Sequence, residues 1–177
     1  RSRFVTQRVT QRVTPRVTEA WRLCHRRFAD DPFSGRGTRA HGSRWCPAGV
    51  ALSFASSTLS LAILEVLVHL TTPRALAGFV AFRLGIPEAL VEDLSPDALP
   101  TGWRSWPWSA RTQQIGSQWM QRGDTVALRV PSAVVPRERN LLLNAAHPGF
   151  ARVEVEGPLG LDVDGRLVEG THIDTLE

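Results

Sequence analysis

A single carboxylate inside an otherwise apolar run constrains this chain more than any other feature. Residues 43–70 read SRWCPAGVALSFASSTLSLAILEVLVHL. Arg44 and Trp45 set a cation beside an aromatic, Pro47 and Gly49 turn the chain, and residues 50–55 form a short apolar strand. A helix is expected over residues 57–70, with Ser56, Ser57 or Thr58 as N-cap and Thr71, Thr72 and Pro73 as the stop. Between positions 59 and 70 its only formal charge is Glu65. A helix that is apolar all round belongs in an interior, where an ionised carboxylate is costly unless paired or hydrogen-bonded. Either a partner such as Arg44 satisfies Glu65, or Glu65 faces a cleft where its charge is used.

The 177 residues are enough for one domain with a substantial core. A hydrophobic share of 42% and a charged share of 21% place the chain among ordinary soluble globular proteins. There is no Lys and no Tyr, so catalysis has neither a side-chain primary amine nor a phenol to draw on. The net charge of +4 is unevenly spread: residues 1–40 hold ten Arg against Glu19, Asp30 and Asp31, and the remainder is mildly acidic. Nucleic acid is therefore not an expected partner, except weakly through the Arg-rich arm. Cys24 and Cys46 have neither disulfide-framework nor metal-ligand spacing, and no HxxxH or Cys/His cluster occurs. No metal is expected, and a reducing, cytoplasmic location fits. The apolar run falls short of the roughly 20 residues of a membrane span, and the start lacks a signal-peptide core.

Residues 5–18 repeat with period four (VTQR, VTQR, VTPR, VT), a pattern that drifts around a helix and is interrupted by Pro15. Residues 1–20 read as a low-complexity arm and residues 21–177 as the folded domain. Strands are expected over 21–28, 50–55, 76–86, 125–130, 151–155 and 161–167. Residues 112–122 form a helix that turns Ile115, Trp119 and Met120 inward and ends at Gly123. Residues 30–42 read as a long loop in which Gly35, Gly37 and Gly42 let the backbone approach a ligand closely. Trp103, Trp106 and Trp108 are expected to pack. Residues 140–144, NLLLN, form a short apolar segment with polar ends, and His69 and His147 read as ordinary polar residues. Strands separated by helices of unequal length predict a mixed α/β or α+β domain. No glycine-rich phosphate loop is present.

The polar residues that stand out are Arg44, Glu65, Ser132 and Arg22. Arginine offers a permanently charged planar fork for phosphate or carboxylate, Glu65 is the lone helix charge, and Ser132 stands where a strong strand ends. On spacing alone they also read as a structural ion pair, Arg44 with Glu65, plus a turn that begins at Ser132.

The segments FSGRGTRAHGSRWCPAG, LAILEVLVHL, VALRVPSAVVPRERNLLLNAAHPGF and LDVDGRL, in this order, resemble the RES domain, the toxin half of bacterial toxin–antitoxin pairs. The resemblance spans about residues 21–167, and the three residues that name the family fall on Arg44, Glu65 and Ser132. It implies a fold similar to ADP-ribosyltransferase toxins and a cleft that takes NAD as substrate. Family members break the nicotinamide–ribose bond by hydrolysis or phosphorolysis, or transfer ADP-ribose to a protein. An Xre-like helix-turn-helix antitoxin is the implied partner, with room for a homodimer within the complex. Glu65 would stabilise the cationic ribose. Arg44, with Arg22, would hold the pyrophosphate, Ser132 would bond ribose or Glu65, and Phe54 would stack on nicotinamide. Two departures accompany the match. Phe54 stands where the family usually has Tyr, and Gly42-Ser43-Arg44-Trp45-Cys46 replaces the usual Gly-Gly-Arg-Trp-Asn. The alternative to an active enzyme is a weakened relative that serves as a binding module.

Overall fold

Leu141, Leu142 and Leu143 follow one another in the chain and all three are fully buried. Successive strand residues point to opposite faces, so this strand must lie inside a sheet covered on both sides. The computed structural model describes residues 16–169 and shows that sheet. Its elements are β1 (Val17–His25), α1 (Arg36–His41), β2 (Ser53–Ser56), α2 (Leu59–Leu67), β3 (Phe79–Pro87) and β4 (Val91–Asp93). They continue with α3 (Ala110–Arg122), β5 (Ala127–Pro131), β6 (Arg139–Leu143), β7 (Glu154–Gly160) and α4 (Gly165–Glu169). The seven strands run in the order β4-β5-β6-β2-β1-β3-β7. Only β4 and β5 pair in parallel. The mixed α/β class read from the sequence is the one observed.

Alternation along β6 assigns the two cores. Leu141 and Leu143 join Ala20, Ala55, Leu84, Ile86 and Ala127 on one face. Leu142 joins Trp45, Cys46, Leu52, Trp119, Leu128 and Val130 on the other, where α3 packs. Helix α3 is capped by the Ser109 side chain and closed by Gly123 in the left-handed conformation. Its buried side is Thr112, Gly116 and Trp119, with Ile115 and Met120 half-buried against the same core.

The sheet is loosest in its middle. β1 pairs with β3 through nine consecutive residues, but with β2 only at Trp21 and Ser56. The two strands splay from that point, and a cleft opens there, with α2 along its side.

Several expectations are corrected. Helix α2 covers Leu59–Leu67, with Thr58 as its cap. It is not interior all round: Leu61, Ala62 and Ile63 are buried, whereas Leu64 and Val68 are 39% and 57% exposed. β3 begins at Phe79 because Pro73–Gly78 forms a 3-10 turn first. The expected loop over 30–42 contains α1, and no strand forms over 161–167, where α4 ends the described chain. β1 starts at Val17, inside the expected arm, and Ala20 is fully buried. Residues 1–15 of that arm lie outside the described residues. Gly35 and Gly42, both at positive φ, approach the chain's own backbone at Ala51 and Ala48 rather than a ligand site, and Gly37 faces open space. No helix among the described residues is long and apolar enough to cross a membrane.

Candidate active site

The cleft at the β1–β2 splay has a volume of about 470 Å³ and is lined by Arg22, Arg44, Phe54, Glu65, Trp108 and Asn140, among others. Glu65 stands on the last turn of α2, half-buried at the cleft wall. Its Oε1 accepts a hydrogen bond from Ser132 Oγ at 2.6 Å and another from Asn140 Nδ2 at 2.6 Å. Its Oε2 has no hydrogen-bond partner among the described residues. A carboxylate held through one oxygen presents the other.

Ser132 follows β5 and is fully buried. Its hydroxyl donates to Glu65 and accepts from the backbone N–H groups of Val134 and Val135 at 3.0 and 2.8 Å. One donor and two acceptor sites exhaust a hydroxyl, so Ser132 addresses Glu65 and has no capacity left for a sugar. Asn140, the polar head of the NLLLN strand, is a site residue that the sequence reading missed. Its Oδ1 accepts from Ser56 Oγ at 2.7 Å, and Ser56 is its register partner across β2 and β6. The only sequence signal was a polar residue opening an otherwise apolar central strand. His69, read as ordinary, also lines the cleft, whereas His147 caps the turn at Gly149.

Arg44 is carried on a tight turn. Ser43 N–H donates to the Cys46 carbonyl at 2.7 Å, and Ser43 Oγ accepts from the N–H groups of Trp45 and Cys46. Gln113 of α3 clamps the same turn by donating to the carbonyls of Ser43 and Cys46. Ser43 and Cys46, the two residues that depart from the usual motif around Arg44, touch each other, with Oγ and Sγ 3.2 Å apart. Arg44 Nη1 donates to the carbonyls of Trp103 at 2.6 Å and Ser105 at 3.2 Å. Its Nε and Nη2 make no hydrogen bond among the described residues. Burial pulls the Arg44 guanidinium below its ordinary range, the nearby Glu65 carboxylate opposes that, and Arg104 adds to it. The ion pair of Arg44 with Glu65 is not the arrangement found; the charges share a cleft while each is anchored by neutral groups.

Arg22, on β1, spans the splay. Nη1 donates to the Phe54 carbonyl at 2.8 Å, Nε donates to the Pro32 carbonyl, and the guanidinium lies 5.8 Å from the centre of the Phe33 ring. Burial lowers it to about 10. Phe54, half-buried on β2, lines the same cleft. Trp103 packs as expected, its ring 6.0 Å from that of Trp45. Trp108 instead lines the cleft, and its edge-to-face partner Trp106 is 74% exposed. Among the described residues no group of three His, Cys, Asp or Glu side chains could hold a metal ion.

Comparison with known proteins matches this architecture to one family. The RES domain model matches residues 19–165. The toxin Res of Yersinia enterocolitica is 37% identical over 148 residues, which cover 83% of this chain and 97% of that protein. A Prs ADP-ribosylating toxin of a Sphingobium species is 38% identical over 136 residues, covering 74% and 84%. The fold is similar to the M. tuberculosis MbcT–MbcA toxin–antitoxin complex, with a TM-score of 0.67 at 18% identity over 83% of this chain and 85% of that one. The cleft at the β1–β2 splay is thus found in a chain that belongs to the RES domain family of toxins.

Proposed function

We propose that this chain is the toxin of a toxin–antitoxin pair and that it consumes NAD by cleaving the bond between nicotinamide and ribose. The observation that carries the reading is Glu65, held through one oxygen with the other free, in a cleft it shares with two guanidinium groups and Phe54. In the reaction the C1′–N bond breaks and its electron pair leaves with neutral nicotinamide. The ribose passes through an oxocarbenium-like state that a fixed carboxylate stabilises. Glu65 supplies that charge. Arg44 offers its free Nε and Nη2 to the pyrophosphate, and Arg22 contributes the edge not used by Pro32 and Phe54. Phe54 stacks on the nicotinamide ring. Ser132 acts through Glu65. Water or phosphate then attacks C1′. The contact between Ser43 and Cys46 supports an intact Arg44 turn and so favours the active enzyme over the weakened relative.

The test is release of free nicotinamide from NAD by the purified protein, with and without phosphate. Glu65→Gln keeps an oxygen for Ser132 and Asn140 but removes the charge. It is expected to lower turnover by roughly 10²–10³ with an unchanged melting temperature. Normal turnover by that variant overturns the site assignment. A second reading, transfer of ADP-ribose to a protein, is favoured by the Sphingobium relative's name; label from NAD would then appear on a protein rather than in free ADP-ribose. The MbcT–MbcA likeness supports a separate antitoxin, for which an Xre-like helix-turn-helix protein in the cytoplasm is the partner proposed.

A further inference from the structure

We propose that Asn140 is the positioning residue that fixes the plane of the Glu65 carboxylate, so that one oxygen stays turned to the substrate, and that Ser56 supports it. This rests on the NAD-cleaving reading above. Glu65 is on a helix, and rotation about its terminal bond would turn the carboxylate plane away from the substrate. Two donors converge on the same oxygen, Ser132 Oγ and Asn140 Nδ2, each at 2.6 Å. They come from different segments, the turn after β5 and the first half of β6, so the carboxylate plane is fixed from two directions. A side-chain amide can itself flip, which would present its oxygen to the carboxylate and repel it. The carboxylate, which can only accept, selects the orientation that turns Nδ2 to it, and the Ser56 hydroxyl completes that orientation by donating to Asn140 Oδ1 at 2.7 Å. Ser56 faces Asn140 in register across β2 and β6, so the relay from Ser56 through Asn140 to Glu65 is set by strand pairing rather than by a mobile loop. Thr58, two residues beyond Ser56, caps α2 at Leu61 and so ties the helix that carries Glu65 to the same strand end. Hydrogen bonds to a charged acceptor are among the strongest a side chain makes, which gives the relay enough leverage to hold one rotamer.

Asn140→Leu keeps the approximate shape and removes the donor without adding a charge. It is expected to lower kcat roughly tenfold to a hundredfold, while ADP-ribose affinity stays within about threefold of wild type, as befits a group acting only in the transition state. Ser56→Ala, which leaves Asn140 Oδ1 without its donor, is expected to give a smaller loss in kcat. Asn140→Ala combined with Ser132→Ala is expected to fall short of the product of the single losses, because both act through one oxygen. A second measurement does not depend on turnover. The Asn140 side-chain amide proton bonded to Oε1 is expected downfield in the proton–nitrogen spectrum, and Glu65→Gln is expected to move it upfield. Wild-type kcat in Asn140→Leu, or an amide resonance indifferent to Glu65→Gln, overturns the proposal even where NAD cleavage by the wild type stands. If the wild type releases no nicotinamide, the NAD reading fails and the amide resonance alone decides the role of Asn140.

Discussion

Gly116→Ala tests how α3 holds the Arg44 turn in place. A Cβ at position 116 would lie 2.1 Å from the Trp45 carbonyl oxygen and 3.2 Å from Trp45 Cβ. Carbon and oxygen in ordinary close contact stand about 3.3 Å apart, so helix and turn must separate by about 1 Å. Neither side yields easily. Trp45 is 4% exposed in the same cluster as Trp119, and Ser43 and Gln113 clamp the turn on both sides. Overpacking of this kind costs about 1–3 kcal/mol, and a backbone oxygen at this distance argues for the upper end. Replacing glycine by alanine inside a helix returns about 1 kcal/mol. The clash wins by about 2 kcal/mol, which in a chain of this size lowers the melting temperature by roughly 4–8 °C. The same displacement moves Arg44 relative to Glu65, and a misplacement of about 1 Å can cost roughly a hundredfold in rate. Thermal melting and nicotinamide release, measured on one preparation, read both effects. A melting temperature at or above wild type with unchanged turnover would refute the argument that α3 is seated directly on the turn.

Phe54→Tyr restores the hydroxyl usual in the family and is expected to raise kcat roughly two- to tenfold, the worth of one hydrogen bond; unchanged turnover would show that the hydroxyl has no part in the reaction. Arg22 is fixed beside the cleft by the Phe54 and Pro32 carbonyls, so Arg22→Ala is expected to weaken ADP-ribose affinity roughly tenfold; an unchanged affinity would contradict its proposed part in holding the pyrophosphate. Removing residues 1–15 should leave turnover and melting temperature as they are. Removing residues 1–20 also takes the first residues of β1 with the buried Ala20, and should destabilise the protein by more than about 2 kcal/mol, which a denaturant titration measures.

The parts of the fold legible in the sequence are those whose side-chain pattern is set by their own burial. Helix α3 shows its inward residues at helical spacing and its Gly123 stop, and both are found. Residues 161–167 alternate like a strand, yet they follow the edge strand β7 without pairing to it. Leu161 and Val163 pack half-buried against the cluster of Leu76 and Ala81 instead. Alternation reports a two-sided environment, and it cannot report whether the chain pairs with a strand or packs over a core. Helix α1 left no signal because its sequence, RGTRAH, buries only Thr38.

The site divides along the same line. Arg44 and Glu65 could be singled out because a charge in apolar surroundings is conspicuous, and Ser132 because it stands where a strong strand ends. Asn140 escaped because its role depends on a contact made 75 positions away from Glu65. The partner that simple electrostatics suggests for a lone carboxylate is the nearest guanidinium, and the structure departs from that. An ion pair with Arg44 would neutralise Glu65 and occupy the fork that an anionic substrate needs. Neutral donors on one oxygen stabilise the carboxylate without cancelling its charge, and backbone carbonyls do the same for Arg44 and Arg22. The cleft therefore keeps opposite charges side by side and unspent, which is what the proposed cleavage of NAD asks of it: a cation for the pyrophosphate and an anion for the ribose that becomes cationic.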